Sequence, residues 1–131
     1  MFMVNSFKYA FRGIKDAIRS ERNLSVHLLF GLIAAIFAYF LNFTKSEFAI
    51  LTLTISFVII LELINTIVEK LVDMHSTKVS EEARVIKDIS AAIVLLGAIT
   101  SVIIGLFLFV SKLLWPRKTE SYFVALRWLK F

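Results

Sequence analysis

Fourteen uncharged residues, Phe48 to Leu61, run without a break into Glu62-Leu-Ile-Asn65-Thr66-Ile-Val-Glu69-Lys70-Leu-Val-Asp73. At about 100° per residue, Glu62, Asn65, Thr66, Glu69 and Asp73 share one face of a continuous helix. Leu63, Ile64, Ile67, Val68, Leu71 and Val72 take the other face. The segment reads as a membrane helix with carboxylates stacked along one side as it nears an end. A carboxylate at membrane depth is expensive unless it finds a partner, so it points to function by default. Three on one stripe, with an amide between them, leave room for metal and phosphate.

The rest of the composition agrees with a membrane setting. Of 131 residues, 59% are hydrophobic, and the 19% that are charged sit in blocks. Mean hydropathy is +0.83, far above a soluble average. The chain has no cysteine, which excludes disulfides, thiolate metal sites and cysteine nucleophiles. The only histidines are His27 and His75, which argues against zinc. The net charge of +5 flanks apolar segments, a pattern that fits anionic lipid headgroups better than nucleic acid.

Taken in order, residues 1–23 place Phe7, Ala10, Phe11, Ile14 and Ile18 at helical spacing, with Lys8, Arg12, Lys15, Arg19 and Arg22 between them. This predicts an amphipathic helix on the membrane surface. No small-residue cleavage site follows, so a signal peptide is not expected. Residues 24–43 form a first span, 48–72 a second and 81–114 a third, each long enough for about 30 Å of hydrocarbon. The polar residues from Asn42 to Glu47 separate the first two, and a polar loop from Met74 to Glu82 leads to the third. Gly97, Ser101 and Gly105 recur every four residues, a face on which helices can approach closely. Residues 115–131 form a C-terminal tail that could make a second interfacial helix or none, and no chemistry is legible in them.

Lysine and arginine counts set the orientation. Lys8, Arg12, Lys15, Arg19 and Arg22 precede the first span, and Lys70, Lys78, Arg84 and Lys87 surround the second loop. The first loop holds Lys45 alone. The N-terminus and second loop are therefore expected in the cytoplasm. The tail, with Lys112, Arg117, Lys118, Arg127 and Lys130, departs from the rule.

This arrangement gathers Glu21, Glu62, Asn65, Glu69, Asp73, Lys87 and Asp88 at one membrane face. Carboxylates without histidine or cysteine select hard ions such as Mg²⁺. Lys87 offers a cation for phosphate, and no glycine-rich phosphate loop exists. Plainer readings exist for most of these residues. Glu69 and Lys70 could be ordinary helix-end residues, Asp73 a solvated one, and Lys87 with Asp88 a simple ion pair. Asn65 could bond a neighbouring helix, and His27 reads as interfacial without a ligand role. Glu62 has no such reading, because apolar residues flank it over two turns.

The motif from Glu62 to Asp73, followed by Ala83-Arg84-Val-Ile-Lys87-Asp88-Ile-Ser-Ala91-Ala92-Ile-Val-Leu, strongly resembles the prokaryotic diacylglycerol kinase family. The N-terminal Ser6-Phe7-Lys8-Tyr9-Ala10-Phe11-Arg12-Gly13-Ile14 and Glu21-Arg22-Asn23 look like its undecaprenol-kinase branch. The resemblance covers about residues 5–113. It implies an all-α integral membrane protein of the bacterial cytoplasmic membrane, with one kinase domain over 1–113. Each copy would have a surface helix and three transmembrane helices, in a homotrimeric bundle with composite sites facing the cytoplasm. Glu62 resembles the family's catalytic base and lies at the lipid substrate with Asn23 and Ala91. Glu21 and Glu69 resemble its metal-binding carboxylates. Asn65, Glu69, Asp73, Lys87, Asp88, Tyr9 and Arg12 match positions around the nucleotide. The implied reaction is ATP- and Mg²⁺-dependent phosphorylation of a membrane lipid hydroxyl, undecaprenol before diacylglycerol. No nucleic-acid partner is implied.

A different class stays open at this point. The chain could be a non-enzymatic membrane subunit whose stripe glues helices or conducts protons. A proton path would spread ionisable groups across the bilayer, yet Ile89 to Ser111 holds none.

Overall fold

The computed structural model describes residues 2–75 and 80–114, with side chains from residue 5 onward. They form four helices in series: α1 Phe2–Ser20, α2 Arg22–Phe40, α3 Lys45–His75 and α4 Glu81–Leu114. The last three are each long and apolar enough to cross a membrane. The tail 115–131 and residues 76–79 of the second loop lie outside the described residues. At 1.5 Å per residue, the 31 residues of α3 and 34 of α4 exceed about 30 Å of hydrocarbon by several turns. Their ends must therefore project, and those are the ends that carry charge.

Several helix boundaries differ from expectation: α2 begins at Arg22 instead of 24, α3 runs from Lys45 to His75 instead of 48 to 72, and two further boundaries have a local reason. α1 stops at Ser20 rather than at residue 23, and Glu21 stands in extended conformation (φ −114°, ψ 109°) as the joint to α2. The hydroxyl of Ser25 donates to the Ile18 carbonyl at 3.1 Å, tying α2 back across that joint. The first span ends at Phe40 rather than at residue 43. Asn42 adopts φ 54°, the Phe43 N–H reaches the Ala38 carbonyl, and the Asn42 N–H reaches Tyr39. This is the Schellman helix stop, completed by contact between the apolar residues Phe43 and Ala38. The chain then restarts at once. Thr44 Oγ1 accepts from the Glu47 N–H at 3.3 Å, and Glu47 Oε2 accepts from the Thr44 N–H at 2.6 Å. Such a reciprocal box satisfies two donors that a helix start leaves open.

α3 runs antiparallel to both α2 and α4 and touches each of them. At the Thr44 end, Lys112 Nζ donates to Glu47 Oε2 at 2.8 Å and lies 5.5 Å from the centre of the Phe43 ring. Phe43 also meets Phe109, with ring centroids 5.0 Å apart. Further along, Gly97 is buried against α3, and a Cβ placed there would overlap the Leu61 Cδ1 methyl. On the other side, a Cβ on Gly31 would sit 2.7 Å from Ile55 Cγ2. Of the two glycines on the small-residue face of α4, Gly97 makes such an approach among the described residues and Gly105 does not. Gly105 has open space around it, and it borders a cavity of about 170 Å³ shared with Ser101, His27 and Thr54.

Little of the apolar surface is covered by the chain itself. The apolar windows of α2, α3 and α4 are 11%, 17% and 11% buried, so lipid or other protein must cover the rest.

Gly97→Leu should lower the melting midpoint in detergent, because overpacking a close helix contact costs about 1–3 kcal/mol. An unchanged melting curve would mean that α3 and α4 do not meet at Leu61.

Candidate functional site

The polar stripe of α3 is also the face it buries. Glu62, Asn65 and Thr66 are 3%, 9% and 5% exposed, while Ile64 and Ile67 on the opposite face are open. Burial fades toward the helix end, with Glu69 half-buried and Asp73 exposed. The stripe therefore runs from a closed interior to an open end.

α2 closes it on one side. The Glu62 carboxylate has Asn23 and His27 of α2, and the carboxylates of Glu69 and Glu21, as its polar neighbours. Asn23 and His27 are one turn apart on α2, so the break at Glu21 sets which α2 face meets Glu62. Thr66 Oγ1 donates to the Glu62 carbonyl at 3.0 Å, spending its polarity on its own helix. At the α1 end, Lys70 Nζ donates to Ser20 Oγ at 3.1 Å.

α4 closes the other side. The Asn65 amide donates through Nδ2 to Glu69 Oε1 at 3.0 Å and accepts at Oδ1 from Ser90 Oγ at 2.7 Å. Ser90 is itself buried. Two turns nearer the end, Lys87 pairs with Asp73, both substantially solvated. Arg84 pairs with Glu81 and, at 2.6 Å, with Asp88.

One chain thus brings together Glu21, Asn23, Glu62, Asn65 and Glu69, with the Asp73–Lys87 pair bordering them. Asp88 turns away to Arg84 in an exposed pair and is no partner of Lys87. Tyr9 and Arg12 face each other on exposed α1, 5.8 Å from ring centroid to guanidinium carbon. Ala91 is exposed on α4. Among the described residues, no hydrogen bond, ion pair or ring contact joins Tyr9, Arg12 or Ala91 to Glu62. His27, read as interfacial without a ligand role, is half-buried and neighbours Glu62. Ser90 was not anticipated at all, although a small polar residue in an apolar run was its visible sign.

Among the described residues, no group of three or more His, Asp and Glu is arranged to hold a metal. Mg²⁺ usually takes only one or two carboxylates and fills its octahedron with waters and substrate phosphates. Glu21 and Glu69, both within electrostatic reach of Glu62, are hard oxygen donors of that kind.

Three helices long and apolar enough to span a membrane, one of them carrying a buried carboxylate with polar neighbours, suggest a membrane protein. Comparison with known proteins makes this specific. Residues 8–109 match the family model described as prokaryotic diacylglycerol kinase. The chain is 39% identical over 101 residues to a diacylglycerol kinase of Synechocystis. It is 36% identical over 108 residues to the undecaprenol kinase of Bacillus subtilis and 31% over 108 to a diacylglycerol kinase of Haemophilus influenzae. These matches take in 76%, 82% and 82% of the chain, and 58%, 88% and 92% of the respective relatives. The chain belongs to the prokaryotic diacylglycerol kinase family, a family of lipid kinases.

Asp73→Asn should shift stability by no more than about 1 kcal/mol, because its pair with Lys87 is solvated. Denaturation in mixed micelles checks this, and a loss above roughly 2 kcal/mol would make the pair a structural element.

Proposed function

We propose that this chain transfers the γ-phosphate of ATP to the hydroxyl of a membrane lipid, with undecaprenol preferred to diacylglycerol. The observation that carries the reading is Glu62. It is a carboxylate 3% exposed on a membrane helix, beside Asn23, His27 and two further carboxylates, at the end where Lys87 also lies. A lipid alcohol has a pKa far above neutrality, so a carboxylate base assists only as attack proceeds. Glu62 is held where an interfacial hydroxyl can reach it, and Asn23 orients its carboxylate. Phosphoryl transfer otherwise depends on positioning and charge neutralisation. Lys87 can leave its solvated partner Asp73 for a phosphate oxygen at little cost. Glu21 and Glu69 would hold Mg²⁺, which when bound supplies neutralising charge to the phosphates.

The proposal extends to the assembly. The uncovered apolar helix faces, and the separation of Tyr9, Arg12 and Ala91 from Glu62, support a homotrimer whose sites are shared between copies. The basic residues around α1 and the second loop support a site facing the cytoplasm, with α1 on the membrane surface. The preference for undecaprenol rests on Ser6 to Ile14 and on the similarity to the Bacillus subtilis enzyme. Two relatives named as diacylglycerol kinases support the second substrate. Apolar chain contacts alone separate similar lipids by only about 1–3 kcal/mol.

Phosphate transfer from labelled ATP in mixed micelles, with both lipids compared, tests the reading. Glu62→Gln should lower kcat by about 10²–10⁴-fold with either lipid while leaving helicity and ATP binding intact. Near-normal transfer in that variant would remove the proposed base. Glu69→Gln should raise the Mg²⁺ requirement or abolish turnover, and full activity in excess chelator would overturn the metal role.

A further inference from the structure

The hydrogen bonds at the α3–α4 contact have a fixed direction. Glu69, when ionised, can only accept, so the Asn65 Nδ2 must face its Oε1 (3.0 Å). That turns Oδ1 inward, toward a region where an unmet acceptor is costly. There it receives the hydroxyl hydrogen of Ser90 at 2.7 Å. Ser90 and Asn65 are both buried, whereas Glu69 is half-buried and stands where the stripe begins to open. The chain of bonds thus starts in the helix interface and ends on the carboxylate that a ligand would meet. Holding the amide at both ends fixes its plane and strengthens its donor end.

From this geometry we infer that Ser90 is a positioning residue. Acting through Asn65, it fixes Glu69 by one oxygen and presents the carboxylate for a divalent cation. This rests on the proposed role of Glu69 and adds to it a residue 21 positions away that reaches it only through Asn65. Without the hydroxyl, Oδ1 loses its partner, the amide is free to rotate, and Glu69 loses its fixed rotamer. Outer partners that orient a metal ligand typically contribute about 10–100-fold in metal affinity.

The experiment uses the full chain in detergent with Mn²⁺ as spectroscopic probe and a non-hydrolysable ATP analogue. Bound Mn²⁺ is read by electron paramagnetic resonance, and the Mg²⁺ dependence of turnover is read in parallel. Ser90→Ala should weaken Mn²⁺ binding and raise half-saturating Mg²⁺ by about 10-fold or more, with kcat largely recovered at saturating Mg²⁺. Ser90→Thr, which keeps the hydroxyl, should stay within about 3-fold of the parent. Ser90→Cys, a poorer donor of similar size, should fall between, and it decides the matter if the alanine variant does not fold. A role as helix glue alone predicts a lower melting point in Ser90→Ala with unchanged Mn²⁺ affinity, and that result overturns the inference. Glu69→Gln is the control for the reading beneath it. If that variant binds Mn²⁺ normally, the metal assignment fails. If it does not bind while Ser90→Ala does, only the role of Ser90 fails.

Discussion

Burial of Glu62 is the constraint on which the rest of this structure depends. A charged carboxylate on a membrane helix is tolerated only against polar neighbours inside the protein. α2 supplies them as Asn23 and His27, while Glu21 at the joint before it and Glu69, two turns along α3, are further carboxylates that do not offset its charge. That requirement fixes α2 rotationally, which explains why the chain breaks at Glu21 instead of continuing α1 straight into the span. It also fixes the depth of the site. In the proposed reaction, nucleotide would come from water and a lipid hydroxyl from the interface, so a carboxylate serving both would sit toward a helix end.

In a bilayer there is no hydrophobic drive to press helices together, because lipid tails are as apolar as leucine. Close backbone approach and polar contacts decide which faces meet. The α3 contacts follow that rule. Ser90 meets Asn65 and Gly97 meets Leu61 across one interface, and Gly31 meets Ile55 across the other. At the far end, Lys112 and Glu47 form a pair exposed by only 10% and 24% on their side chains. α3 is thus anchored at both ends by polar groups and in the middle by small residues. The two ends differ in kind. The Glu47 end is closed, with the carboxylate bonded to Lys112 and to the Thr44 N–H and packed beside aromatic rings. The Glu62 end is graded from buried to solvated.

Much of this was legible in the sequence because helical periodicity carries it. The stripe from Glu62 to Asp73 and the three span-length helices follow from spacing. Other features were misread for identifiable reasons. Hydropathy does not register the positive φ of Asn42, so the first span was extended past Phe40 to residue 43. The box Thr44-Lys-Ser-Glu47 was present as a pattern but was read only as a polar turn. Lys87 and Asp88 are adjacent in sequence, and neighbours on a helix diverge by about 100°. They therefore take separate partners, Asp73 and Arg84. The Arg84 pairs were predictable from i,i+3 and i,i+4 spacing. The bonds of Lys112 to Glu47 and Ser90 to Asn65 join residues 65 and 25 positions apart, and no local pattern announces them.

The polar groups also explain why the interior at this end is ordered rather than merely polar. Asn65 has one donor end and one acceptor end in use, and each neighbour can fill only the role the other leaves. Glu69 accepts, so Ser90 must donate. Among the described residues, no buried side-chain nitrogen or oxygen lacks a partner. A fully satisfied polar network in a low-dielectric setting has few alternative arrangements, since each costs an unmet bond. The same two helices carry apolar faces that are interchangeable with lipid. The short polar segment from Glu62 to Glu69 therefore helps fix the register of α3 against α2 and α4, together with the Lys112–Glu47 pair and the close approaches at Gly31 and Gly97. In the proposed reaction, that register is what holds a base, a metal-binding carboxylate and a phosphate-binding lysine at fixed separations.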